Sequence, residues 1–170
     1  MLVSLKEILD IAEKGNFAIP AMNVYNMETV MGVIAAAEEM NAPIILQSYS
    51  RLFTNEEGYY VTPIALAAAK KAKVPVCFHL DHGASEGEAE RAIRYGATGI
   101  MIDKSLLPFE ENMAETKKMV DLCNAIGIQV EGEIGHVGSA ANGDEQNVEY
   151  TTVEEAKAFV EGTGVAALAI

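Results

Sequence analysis

Tryptophan is absent from the 170 residues, and only two cysteines occur. Cys77 lies in an apolar run and Cys123 in a helical pattern, which predicts two buried thiols rather than a disulfide. Without a C-x-x-C pair there is no zinc-knuckle or dithiol redox motif. Positive charge is also scarce: 12 Lys and Arg stand against 25 Asp and Glu, for a net charge of −13. That balance disfavours nucleic acid and anionic membrane surfaces as partners. No segment approaches the ~18 apolar residues needed to cross a bilayer. Residues 1–6 (MLVSLK) lack the charged and apolar regions of a secretory signal. The expectation is a soluble, cytoplasmic protein. Dinucleotide chemistry is disfavoured as well, because no G-x-G-x-x-G follows the first apolar run.

What the chain does contain is apolar residues, half of the total. They fall into short runs separated by helical patterns. Strands are predicted at 17–24, 44–47, 74–83, 99–103, 128–133 and 165–170. S-x-x-E spacings at Ser4–Glu7 and Ser85–Glu88, and Thr152–Glu155 with the same pattern, predict capping boxes that open helices. Residues 50–61 read as a loop, and Thr62-Pro63 as a cap followed by proline at the first helical position. Residues 135–147 read as a small, polar loop, with a substrate lid and a solvated loop as equal readings.

Strand and helix alternate with a period of roughly 25–35 residues, which a parallel sheet with crossover helices accommodates. Open doubly wound sheets share this rhythm with closed barrels. Polar residues end almost every strand (Asn23, Gln47, Asp81, His82, Asp103, Glu131, Glu133), which favours the barrel. The expected fold class is therefore α/β, a (β/α)8 TIM barrel. A full barrel takes eight strands and about 250 residues. About six of them are predicted here, so residues 1–170 read as one incomplete barrel domain, truncated at its C-terminus.

The chemistry concentrates at Val74–Gly83, VPVCFHLDHG. A buried strand there delivers His79, Asp81 and His82 to its C-terminal end. Imidazole and carboxylate side by side suit a metal site, whereas a hydrogen-bonded pair in a buried turn is the bland alternative. Asp103, Glu131 and Glu133 add carboxylates at two further strand ends. By strand alternation Glu131 and Glu133 share a face. Four acids on three strand ends, with Asp81, point to a site.

Val76–Gly83 and Val130–Gly135 resemble the two signature stretches of the class II, zinc-dependent ketose-bisphosphate aldolases. Residues 17–24 (FAIPAMNV) and 163–170 (TGVAALAI) are also similar to that family. The resemblance implies reversible cleavage of fructose or tagatose 1,6-bisphosphate to dihydroxyacetone phosphate and glyceraldehyde 3-phosphate. It implies zinc polarising the ketose carbonyl, with Asp81 as proton donor and acceptor at the aldol hydroxyl. His82 would be one of three zinc histidines, and Asp103 and Glu133 carboxylates of a second metal position. Asn23, and one of Ser48 and Ser50, would contact substrate. The family's other two zinc histidines would lie past residue 170, so the isolated chain is expected to be inactive, and the full-length protein a homo-oligomer. Where many members carry a lid glutamate, Ala140 and Ala141 stand here, with Asp144 or Glu145 as substitutes. A non-catalytic barrel scaffold and another phosphosugar lyase or epimerase are the alternatives.

Overall fold

The computed structural model describes residues 1–135 and 150–170. They form two compact units, Met1–Met101 and Ile102–Ile170. In the first, α1 (Leu5–Gly15) precedes β1 (Ala21–Asn23), α2 (Met27–Glu39) and β2 (Ile44–Tyr49). A short α3 (Arg51–Thr54) and α4 (Glu57–Lys71) then lead to β3 (Val76–Gly83), α5 (Glu86–Tyr95) and β4 (Gly99–Ile102). The second unit holds α6 (Phe109–Asn124), β5 (Gln129–Glu133), α7 (Val153–Thr163) and β6 (Ala167–Ala169).

Strand order follows chain order, β1-β2-β3-β4 in the first unit and β5-β6 in the second. The registered pairs β1–β2, β2–β3 and β5–β6 are all parallel. The fold is thus α/β, an incomplete TIM barrel with six strands among the described residues. β3 explains why its neighbours gather round it. Val76, Cys77, Phe78, His79 and Leu80 are all buried, an apolar run interrupted by His79, as in a strand covered on both faces. Helices α1, α4 and α5 pack against it. Leu5 and Ile8 of α1 join Ile45 and Cys77 in one apolar cluster. Cys77 and Cys123 are both buried, free thiols. Burial pushes the Cys123 thiol up to about 11, so it stays protonated at neutral pH.

The helix starts follow local chemistry. Ser4 and Thr152 form the predicted capping boxes with Glu7 and Glu155. Two expectations fail. Residues 51–54 and 57–61 are helical rather than a loop, and Pro63 lies inside α4 instead of opening it. The reason is a buried stripe, Gly58, Val61, Thr62, Ala65 and Ala69, which runs at helical spacing straight through the proline. Packing of that stripe outweighs the missing proline N–H, and Thr62, fully buried, is no cap. The second failure concerns Glu88. Ser85 accepts from the Glu88 N–H as predicted, but the Glu88 carboxylate accepts from Ala84 N and Thr54 Oγ1 and not from Ser85.

Among the described residues no helix is long and apolar enough to cross a membrane.

Candidate active site at the strand ends

Parallel register sorts the strand-end residues by face. Asn23 lies opposite Gln47, Gln47 opposite His79, and Tyr49 opposite Asp81. Residues in register on parallel strands share a face. Asn23, Gln47, Tyr49 and Asp81 therefore sit together at the C-terminal ends of β1, β2 and β3. Ser48 lies opposite Leu80, on the other face, and its hydroxyl is buried without a hydrogen-bond partner. Ser50 is buried just beyond β2, and its N–H donates to the Asp81 carbonyl at 2.9 Å.

Asp81 is 8 % exposed. Its Oδ2 accepts from Asn23 Nδ2 at 2.9 Å and its Oδ1 from Gln47 Nε2 at 3.3 Å. One amide donor on each oxygen fixes the plane of the carboxylate, and a group so held is pre-oriented for proton transfer. From the sequence Gln47 reads only as a polar strand end and Tyr49 is not singled out, because the register that sets both beside Asp81 has no local signal. Tyr49 sets its ring edge against the His82 imidazole, centroids 6.1 Å apart.

His82 has φ 48°, in the left-handed region. For a residue with a Cβ that costs on the order of 1 kcal/mol, and it persists only where the surroundings enforce it. Gly83 follows for a steric reason: a Cβ there would come 2.6 Å from the Met101 carbonyl oxygen. His79, by contrast, stays in the packed interior of β3 at 1 % exposure. Burial lowers its pKa to about 4, so the ring is neutral at physiological pH.

In the second unit Asp103 and Glu133 present carboxylate oxygens within 4.8 Å of one another. Asp103 Oδ1 accepts from Ser105 N at 3.0 Å and from Ser105 Oγ at 2.7 Å, a side-chain turn that locks the loop after β4. The Glu133 carbonyl accepts from Asn112 Nδ2 at 2.7 Å, and Thr116 Oγ1 donates to Asn112 Oδ1 at 3.0 Å. A buried amide on α6 thus fixes the tip of β5, a contact the sequence did not signal. Burial alternates along β5, which puts Glu131 and Glu133 on one half-buried face. Two hard oxygen donors converging at strand ends fit a divalent cation. The lid positions Ala140, Ala141, Asp144 and Glu145 lie outside the described residues.

The profile of the family "Fructose-bisphosphate aldolase class-II" matches residues 3–170. The YdjI aldolase from Escherichia coli K12 is similar at 36 % identity and TM-score 0.86, covering 99 % of this chain and 63 % of that one. A Coccidioides immitis protein assigned as a fructose-1,6-bisphosphate aldolase is 33 % identical, TM-score 0.86, with 96 % and 58 % covered. Fructose-bisphosphate aldolase from Campylobacter jejuni is 25 % identical, TM-score 0.78, with 96 % and 55 % covered. The chain therefore spans about three-fifths of the length of these proteins.

Proposed function

Because the chain belongs to the class-II fructose-bisphosphate aldolase family, we propose that it supplies the acid/base half of a metal-dependent aldolase site. The substrate is a ketose 1,6-bisphosphate, fructose or tagatose, and the products are dihydroxyacetone phosphate and glyceraldehyde 3-phosphate. The observation that carries this reading is the buried Asp81 carboxylate, with an amide donor on each oxygen.

Asp81 accepts the proton of the hydroxyl on the carbon about to become the aldehyde, and returns it when the reaction runs toward the ketose. As that O–H bond breaks, the oxygen electrons form the aldehyde C=O and the C–C pair passes into the ketose half. Zinc, when bound, supplies the positive charge that draws this pair toward the ketose carbonyl. His82 would be one of its ligands, and Asp103 with Glu133 would hold a second divalent position. Asn23 and Gln47 keep Asp81 aimed, and Asn23 would also contact substrate. Ser48 and Ser50 remain the candidate hydroxyl contacts on β2.

The reading extends to the whole protein. Residues 1–170 belong to a single barrel domain and are inactive by themselves, since His82 alone cannot hold the metal. The complete protein is a cytoplasmic homo-oligomer of carbohydrate metabolism. Chelation tests the chemistry: cleavage should stop when the complete protein is stripped of metal and return with Zn²⁺. Cleavage that survives exhaustive chelation would sink the proposal.

A further inference from the structure

The displaced carboxylate of Glu88 marks a device at the tip of β3. In a capping box the acidic side chain would return to its own N-cap; this one reaches out of the helix instead. Glu88 Oε2 accepts from Ala84 N at 2.8 Å, and Oε1 accepts from Thr54 Oγ1 at 2.9 Å. Thr54 is the last residue of α3, and its N–H donates back to the Ser50 carbonyl at 3.2 Å. Phe53 N donates to the same carbonyl at 2.8 Å. Ser50 N closes the circuit by donating to the Asp81 carbonyl at 2.9 Å. Asp81, His82, Gly83 and Ala84 are therefore one arc of a ring whose other arc runs through Glu88, Thr54 and Ser50. His82, with its left-handed φ of 48°, sits in the middle of the first arc.

The geometry points to Glu88 as a positioning residue: by tying Ala84 to Thr54 it holds His82 in its left-handed backbone conformation beside Asp81. The physical case is one of enforcement. A non-glycine residue in the left-handed region relaxes unless both flanks are held. Here the upstream flank is held by Ser50 at Asp81, and the downstream flank by Glu88 at Ala84. Glu88 is itself 9 % exposed, so its two bonds are sheltered from competing water. Arg91, one turn further along α5, donates to the Phe53 carbonyl and docks the same helix on α3. The consequence for metal binding rests on the reading of His82 as a ligand; the backbone effect does not.

The test uses the complete protein with Glu88→Met, which removes both acceptor oxygens at similar side-chain length, and Thr54→Val, which removes one hydroxyl. Hydrogen exchange is followed separately for peptides covering residues 82–84 and 76–80. Exchange at 82–84 should accelerate at least ~10-fold in both variants, with 76–80 unchanged, and the double variant should match the worse single one. Zinc affinity by chelator competition should fall roughly 10–100-fold, the range found when a group supporting a metal ligand is lost. Unaltered exchange at 82–84 in the folded variants overturns the inference. So does equal acceleration over both peptides, which would mean general destabilisation. Should Glu88→Met fail to fold, Thr54→Val decides alone. A wild-type protein that binds no zinc refutes the aldolase reading, while the exchange data still decide the role of Glu88.

Discussion

Asp81 and His79 stand two residues apart on one strand, and their surroundings give them opposite fates. Asp81 reaches the strand end, where two amide donors grip it. Asn23→Ala or Gln47→Ala frees one oxygen of that grip and should lower kcat by roughly 10–100-fold through misorientation. Metal content should stay unchanged, which steady-state kinetics with parallel metal analysis would check. His79 is enclosed, with a folded-state pKa of about 4 against an ordinary 6.5. The unfolded chain thus binds a proton that the native state refuses between those values, so stability rises with pH across that window. It is fully present above pH 6.5 and lost as pH falls toward 4, by about 3 kcal/mol at most. Urea midpoints measured from pH 4 to 7 should show that slope, and His79→Met should flatten it. A slope unchanged by the substitution would remove His79 as its cause.

Among the elements, the tip of β3 is the least tolerant. Gly83→Ala would drive a methyl to 2.6 Å from the Met101 carbonyl and 2.8 Å from Leu80 Cδ2. The backbone atom cannot yield cheaply, and a loss of roughly 2–3 kcal/mol should appear in denaturant unfolding. A change below about 0.5 kcal/mol would contradict this close approach. The strands and most helices were legible because their signals are local: apolar runs for β2 and β3, and capping boxes for α1 and α7. α3 and the first turn and a half of α4 were not, because Thr62-Pro63 gives a strong local start signal. What overrides it, burial of Gly58 and Val61, is a tertiary fact. The same division applies to the site. Asp81 and His82 stand out as polar residues ending an apolar strand. Gln47, Asn112 and Glu88 act through partners 34, 21 and 34 residues away, a separation that no short motif encodes.

At the scale of the whole molecule, exposed apolar surface gathers around β1 and α2. Met22 is 47 % exposed, Met31 60 % and Met40 74 %, and β1 ends the strand order of its unit. An edge strand with apolar neighbours is a template for association. Residues 1–170 expressed alone should therefore self-associate, and sedimentation velocity should show species heavier than 18.2 kDa. A monomer with one cooperative melt would contradict this.

The central claim is that Asp81 handles the aldol hydroxyl proton in a metal-dependent cleavage, and Asp81→Asn in the complete, zinc-loaded protein tests it most directly. Ketose-bisphosphate cleavage, followed by trapping the released aldehyde, should slow by roughly 10²–10⁴-fold. Zinc content and thermal midpoint should remain at the wild-type values. Cleavage within about threefold of wild type, in a variant that still carries its zinc, would contradict the account.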